Sequence, residues 1–209
     1  FRALVESTRD TDEDVSRAVG DIIADVRARG DSALIELSAR FDHAALTPET
    51  RLCIINSPNN PTGWTIQPEA LDAILSHCRR HGIWLLCDDV YERLVHNPAL
   101  RSAPSVLARA EPEDRVISVN SFSKAWSMTG WRIGWIAGPA PLVADLTKVV
   151  EYNTSCILEP VQRAATIALQ QGEPEVDRLR AALRASREQL VAGLRALPGT
   201  IVPEAGGAM

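Results

Sequence analysis

The chain contains very little lysine. Of its 22 lysine and arginine residues, only Lys124 and Lys148 are lysines, so arginine supplies almost all of the positive charge. Cysteine is also scarce, and its four copies lie far apart, with no Cys-x-x-Cys pair. This pattern argues against a zinc site and predicts that the cysteines are buried, reduced thiols. We therefore expect no metal in this protein.

The chain also has fewer basic than acidic residues. The chain carries 27 acidic and 22 basic residues, a formal charge of −5, and its arginines are dispersed among carboxylates. Such a chain has no general attraction for phosphate backbones or anionic membranes, so we expect no nucleic-acid partner and no membrane association. The sequence also lacks a charged leader followed by an apolar stretch, and no run is long enough to cross a bilayer. A cytoplasmic protein is therefore expected.

The first fifty residues predict a helical hairpin. Apolar residues at helical spacing indicate one helix over residues 11–29, after a possible capping box formed by Thr11 and Asp14. Gly30 breaks this helix, and a second short helix is predicted over residues 33–40. Such apolar stripes are typical of a packing element without chemistry of its own.

Beyond Pro48 the sequence alternates short apolar runs with helical segments. Apolar runs that are bounded by turns predict buried strands. They are residues 53–55, 84–87, 116–119 and 133–137. Helices are predicted over residues 68–81, 141–152, 160–171 and 174–197. This alternation predicts an α/β fold with a largely parallel sheet.

Polar residues follow the first three predicted strands, at the point where each strand ends. The segments are Asn59-Asn60-Pro61-Thr62-Gly63, Asp88-Asp89-Val90-Tyr91 and Asn120-Ser121-Phe122-Ser123-Lys124. In an open α/β sheet, ligands bind at the carboxyl ends of the strands, so these side chains are expected to share one site. Each segment alone is weak evidence, since Asn-Pro-Thr-Gly is an ordinary turn. Their order and placement together are specific.

Lys124 is the candidate for a reaction that needs a primary amine. It lies among small residues in a chain that otherwise relies on arginine for positive charge. Arginine stays protonated and cannot form a Schiff base, whereas a deprotonated lysine can attack an aldehyde. The alternative is that Lys124 is a solvated surface charge, as most lysines are.

The neighbouring polar residues are of the kinds that a pyridoxal phosphate site needs. A carboxylate keeps the pyridine nitrogen protonated, and Asp88 suits that role. A phenol and an amide bind the phenolic oxygen of the ring, as Tyr91 and Asn60 could. A hydroxyl and a guanidinium hold the phosphate, as Ser121 and Arg132 could.

Residues from about Arg51 to Met209 resemble the middle of a class I/II, fold-type I aminotransferase, closest to the aspartate-aminotransferase-like branch. The resemblance rests on the run Ser-Phe-Ser-Lys-x-x-Ser-Met-Thr-Gly-x-Arg-Ile-Gly, with Asn-Asn-Pro-Thr-Gly and Asp-Asp-Val-Tyr upstream in matching order and spacing. It implies that Lys124 is the Schiff-base lysine and general acid/base. It also implies the cofactor roles given above for Asn60, Asp88, Tyr91, Ser121 and Arg132, with Ser123 as a weaker phosphate ligand.

The same resemblance implies a fold, a function and partners. The fold would be an incomplete three-layer pyridoxal phosphate-binding large domain over residues 51–197, followed by the start of a truncated small domain over residues 198–209. The function would be amino-group transfer between an amino acid and a 2-oxo acid by a homodimer. The family's phosphate-binding turn ahead of the first strand and its substrate-binding arginine lie outside the matched stretch, so impaired transamination is expected.

Residues 1–50 resemble a different family. Their run through residues 14–34, followed by Arg40-Phe41-Asp42 and Leu46-Thr47-Pro48-Glu49, is similar to the amino-terminal helical segment of histidinol dehydrogenase. The chain is therefore expected to be a fusion joined near Thr50-Arg51. Two alternatives to an aminotransferase stay open: a non-catalytic pyridoxal phosphate-binding or interaction domain, and a histidinol dehydrogenase fragment.

Asp89 and the histidines are given no role in this site. The ring needs only one acid, so Asp89 is expected to be an exposed or helix-capping carboxylate. None of the four histidines is placed to form a triad with Ser121.

Overall fold

The computed structural model describes residues 20–41 and 50–208. The chain divides into two compact units, Phe1–Thr50 and Arg51–Met209. In the first unit, helix α1 runs through residues 20–29 and helix α2 spans Asp31–Phe41, with Gly30 between them at φ +60°. The break predicted at Gly30 is therefore present. The predicted capping box of Thr11 and Asp14 lies outside the described residues.

The second unit contains a four-stranded sheet in the order β1-β2-β3-β4. Its strands are β1 (Leu52–Asn56), β2 (Trp84–Asp88), β3 (Val116–Ser121) and β4 (Gly134–Ala137). The first three are parallel, and β4 is antiparallel to β3. Two neighbouring strands that run parallel must be joined by a crossover connection, which is usually a helix. Residues 122–133 between β3 and β4 instead form a loop with one short 3₁₀ turn, so β4 runs back along β3. The predicted α/β fold with a mostly parallel sheet is confirmed.

One face of the sheet is covered by helix α3 (Pro68–His81). Proline occupies its first turn, and Gly82 ends it in the left-handed conformation, as the sequence predicts. The helix packs its apolar stripe on the sheet to form the main core of buried residues. These are Ile66, Leu71, Leu75, Cys78, Ile83, Leu85, Cys87, Val106 and Val116.

The cysteines are free thiols, but they are not all buried. Cys78 and Cys87 lie in the main core, and Cys53 is half-buried beside them. Burial is the main cause that raises the pKa of the Cys87 thiol to about 12. Cys156 is exposed, so the expectation of burial is wrong for this one residue.

Three helices follow the sheet: α4 (Ala140–Thr154), α5 (Glu159–Gln171) and α6 (Glu173–Arg195). Their bounds lie close to the predicted ones. Helix α6 buries Val176 against a cluster that contains Tyr91, Leu94, Ala125 and Ala208. Helix α5 contributes Ala165 to a second cluster around Phe122 and Met128. Both clusters lie next to the segment that contains Lys124.

The second face of the sheet shows exposed apolar side chains. Leu52, Ile54 and Ile136 point away from the α3 core, and Ile54 is 64% exposed. Purely parallel sheets are normally covered on both faces. The exposed face fits an incomplete large domain. Across residues 20–41 and 50–208, no helix is both long enough and apolar enough to span a bilayer.

Two glycines are expected to respond in opposite ways to alanine. Gly82 has φ +65°, so Gly82→Ala should lower the free energy of unfolding by about 1 kcal/mol, because a Cβ is strained there. Gly193 lies inside α6 with open space around it, and Gly193→Ala should raise that free energy by roughly 0.5–1 kcal/mol. Urea unfolding followed by tryptophan fluorescence measures both. Equal effects of the two changes would contradict the left-handed helix end.

Candidate active site

Tyr91 and Asn60 form the centre of the candidate site. Tyr91 is buried, and its hydroxyl oxygen accepts a hydrogen bond of 2.9 Å from Asn60 Nδ2. The two residues come from different loops, which follow β2 and β1 respectively. The structure therefore brings together two residues that the sequence placed in one site.

Asn56 holds the turn that presents Asn60. Its Oδ1 accepts hydrogen bonds from the Asn60 backbone N–H, at 3.1 Å, and from Asn59 Nδ2, at 3.0 Å. Its own Nδ2 donates to the Asp88 carbonyl at 3.1 Å, which ties the turn to the end of β2. Asn56 was not among the predicted site residues. The available signal was an asparagine at a strand end directly before a turn, where its side chain commonly bonds the backbone.

Lys124 lies against the same tyrosine. Its Nζ is 5.4 Å from the centre of the Tyr91 ring, within the range of a cation–π contact. Ala125, the next residue, is buried in the cluster with Tyr91 and Val176, which anchors this part of the chain on α6. Packing of the adjacent residue thus holds the amine beside the phenol.

Asp88 and Ser121 end neighbouring strands on one face of the sheet. Asp88 is the last residue of β2, and side-chain alternation places it opposite to the face that contains Leu85 and Cys87. It pairs in register with Val119, two residues before Ser121, so Ser121 lies on the same face. Their hydrogen bonds are local: Asp88 Oδ1 accepts from the Val90 N–H at 3.4 Å, and Ser121 Oγ accepts from the Ser123 N–H at 3.0 Å.

Arg132 lies just before β4 in an unusual backbone conformation. Its φ of +49° is rare for a residue with a side chain and marks a sharp change of direction. The side chain is exposed, and Nη1 donates to the Thr129 carbonyl at 3.0 Å. Gly134, two residues later, is paired in register with Ser121. Arg132 therefore lies at the same edge of the sheet as Ser121, and its hydrogen bond runs to its own loop.

The expectation that Asp89 is exposed or caps a helix is wrong. Asp89 is 5% exposed, and its Oδ2 accepts a hydrogen bond of 2.6 Å from Ser118 Oγ on β3. Asn120 Nδ2 in turn donates to Ser118 Oγ at 3.2 Å. Burial raises the pKa of Asp89 to about 6, the bond from Ser118 opposes this rise, and the charge of Asp88 adds to it. Asp89 faces the interior because it is next in sequence to Asp88, which takes the opposite face.

The bond between Asn60 and Tyr91 predicts different effects for the chain's two tyrosines. Tyr91→Phe removes the acceptor of the Asn60 amide in a part-buried place, so the free energy of unfolding should fall by about 1 kcal/mol. Tyr152→Phe is the matched control, because Tyr152 is 95% exposed and should give no measurable change. Denaturant unfolding of both variants is the measurement. A Tyr91→Phe variant as stable as the wild type would show that the bond contributes nothing.

A family model and several known proteins match this chain. The family model "Aminotransferase class I and II" matches residues 33–209, so the match includes residues on both sides of Thr50. The arginine–pyruvate transaminase AruH of Pseudomonas aeruginosa is 35% identical over 193 residues, which cover 90% of this chain and 47% of that protein. An aspartate aminotransferase of Rhizobium meliloti is 36% identical over 174 residues, covering 80% of this chain and 41% of that protein.

Solved structures agree with the sequence relatives. The N-succinyldiaminopimelate aminotransferase of Mycobacterium tuberculosis superposes with a TM-score of 0.70 and 36% identity, covering 85% of this chain and 43% of that one. A double mutant of Thermus thermophilus aspartate aminotransferase gives a TM-score of 0.70 and 34% identity, with coverages of 78% and 42%. The chain thus spans less than half the length of these relatives.

Proposed function

The chain belongs to the class I and II aminotransferase family, and on this basis we propose that it is a pyridoxal phosphate-dependent aminotransferase that transfers an amino group between an amino acid and a 2-oxo acid. The observation that carries the proposal is the position of Lys124 beside Tyr91, whose hydroxyl is held by Asn60. An amine, a phenol and an amide from three separate loops meet at the carboxyl end of the sheet, where α/β folds bind ligands.

The residues at this edge fit pyridoxal phosphate. Asp88 would pair with the ring nitrogen, and Ser121 and Arg132 would hold the phosphate. Tyr91 accepts its hydrogen bond from Asn60 and so keeps its own hydroxyl proton to donate to the ring oxygen. Arg132 uses one N–H on the Thr129 carbonyl and has further donors for a phosphate. When bound, the cofactor supplies an electron sink that eases loss of a proton from the substrate carbon.

The protein's own groups would then handle the proton and the orientation. The neutral Lys124 amine accepts a proton from the substrate carbon and returns it as a general acid. The Tyr91 ring lies 5.4 Å from the Lys124 Nζ and helps to keep the amine in place during the transfer. Asn60 fixes the Tyr91 hydroxyl, so the phenol keeps one orientation during the transfer.

One experiment separates the enzyme from a non-catalytic binder. The binder is kept as the second candidate because the chain spans less than half of its relatives' length. The protein is mixed with pyridoxal phosphate until a visible absorbance develops, and arginine, aspartate, asparagine and N-succinyldiaminopimelate are then added in turn, since relatives bear these names. The enzyme predicts loss of that absorbance with release of a 2-oxo acid. A stable absorbance that no amino acid changes supports the binder.

Assembly and location are further parts of the proposal. We propose a homodimer in the cytoplasm, with small-molecule amino acids and 2-oxo acids as its substrates. The support is the chain's family. Sedimentation equilibrium of the purified chain tests the dimer, and a single species at 22.8 kDa would rule it out.

The separate origin of residues 1–50 is also a proposal. A boundary between compact units at Thr50 and Arg51 supports it, together with the likeness of this segment to the start of histidinol dehydrogenase. The family match from residue 33 points the other way for residues 33–50. Sequencing the genomic reading frame across Thr50 decides the question, because a frame interrupted there would mark a joined sequence.

A further inference from the structure

A chain of three buried polar side chains links the two strand ends that carry the candidate site. Asp89, Ser118 and Asn120 are 5%, 0% and 7% exposed, and each is hydrogen-bonded to the next. Asn120 donates to Ser118, and Ser118 donates to Asp89. The direction of both bonds is fixed, because an amide nitrogen can only donate and a carboxylate can only accept. Satisfied buried networks of this kind fix one arrangement of the elements that they join.

Each end of this network is next to residues of the site. Asp89 lies between Asp88 and Tyr91, in a turn where its own N–H donates to the Val119 carbonyl at 2.9 Å and its carbonyl accepts from the Glu92 N–H at 2.9 Å. Asn120 directly precedes Ser121 on β3. The network thus joins the turn that contains Asp88 and Tyr91 to the strand that leads to Ser121 and Lys124.

Burial of the Asp89 carboxyl group is unfavourable, which indicates that this group has a structural role. A carboxyl group that is removed from water is unfavourable in its charged form, and burial raises the pKa of Asp89 for that reason. An apolar side chain would fill the same position without this cost, but it could not accept the Ser118 proton. Aspartate at this position therefore makes the fold less stable, but it provides a directional hydrogen bond with Ser118.

We propose that Asp89 is a positioning residue of this site, whose carboxylate, through Ser118 and Asn120, locks the Asp88–Tyr91 turn onto the strand that leads to Ser121 and Lys124. Its effect on cofactor binding rests on the proposed function, whereas its effect on the two segments does not. Asp89 lies on the sheet face opposite to Asp88, so its effect on the site passes through the turn that it holds.

Four single variants test the role: Asp89→Ala, Asp89→Asn, Ser118→Ala and the control Asp145→Asn, whose carboxylate is exposed on α4. Hydrogen exchange by mass spectrometry, without cofactor, measures protection of residues 88–94 and 118–124, and titration measures the Kd for pyridoxal phosphate. Asp89→Ala should expose both segments and raise the Kd about tenfold. Asp89→Asn should leave both segments at least as protected as in the wild type and the Kd within about twofold, because its amide oxygen still accepts from Ser118. Asp145→Asn should change neither value.

The double variant of Asp89→Ala and Ser118→Ala should be damaged less than the sum of the two single variants, since each single variant already removes the bond between Asp89 and Ser118. Unchanged exchange in Asp89→Ala would overturn the proposal, and so would an Asp89→Asn variant as damaged as Asp89→Ala, because charge rather than the bond would then be responsible. If Asp89→Ala does not fold, Ser118→Ala carries the same test. A wild-type chain that binds no pyridoxal phosphate refutes the proposed function, while the exchange data still decide the role of Asp89.

Discussion

Lys124→Ala should abolish covalent capture of pyridoxal phosphate. The chain has only two lysines, and arginine cannot form a Schiff base, so one side chain next to Tyr91 is available for this chemistry. The wild type and the variant are incubated with the cofactor, reduced with borohydride and digested for peptide mass spectrometry. The pyridoxyl label at position 124 should fall to background. Lys124→Arg should lose the label equally, although it retains the positive charge.

Lys148 is the matched control for this experiment. It lies on α4 with its side chain 69% exposed, and its Nζ is 2.8 Å from Asp145. Lys148→Ala should leave the label at position 124 unchanged. A label that stays in Lys124→Ala at another internal residue, or a label that depends on Lys148, would contradict the assignment of the amine.

Asp89→Asn should make the protein more stable at pH 7 and remove part of its pH dependence. The pKa of Asp89 is raised from 3.8 to about 6, chiefly by burial, so the folded state binds this proton more tightly than the unfolded state. The stabilising contribution of the protonated group is therefore complete below pH 3.8 and is lost as the pH rises through 6. A shift of about two pKa units corresponds to about 3 kcal/mol at pH 7.

Urea unfolding of the wild type and of Asp89→Asn between pH 4 and pH 8 measures this effect. The difference in free energy of unfolding should be largest above pH 6 and should close toward pH 4, because the amide stays neutral and keeps the Ser118 bond. Asp145→Asn is the control, since that carboxylate is exposed and should show a small difference at every pH. A constant difference for Asp89→Asn would mean that the buried acid does not titrate in this range.

Much of the fold was predictable because its signals are local. The run from Trp84 to Cys87 predicts β2, and Gly82 predicts the end of the preceding helix, since only a residue without a Cβ takes that conformation without strain. The direction of β4 was harder to predict. It depends on residues 122–133 being a loop rather than a helix, and apolar periodicity does not report that.

That several of the candidate residues lie near one another was predictable from the sequence, but their contacts were not. Asn60, Tyr91 and Lys124 come together as expected, and their roles toward a cofactor stay predictions. Asp89 was misjudged because two adjacent acids look equivalent in sequence, while alternation sends them to opposite faces of the sheet. A signal existed in Ser118, a hydroxyl within the apolar run of β3 that needs a partner when buried. Sequence alone does not say which residue that partner is.

The reversed direction of β4 limits which parts of the chain can change in length. Because β4 starts at the edge where β3 ends, Ser121 and Arg132 are joined by a loop that is closed by its own backbone bonds, from the Phe122 N–H to the Ile133 carbonyl and from the Met128 N–H to the Phe122 carbonyl. An inserted residue in this loop would change the position of Arg132 relative to Ser121, whereas one in the loop at the far end of β4, after Gly138, would not. Natural length variation is therefore expected beyond β4 and not between these two residues.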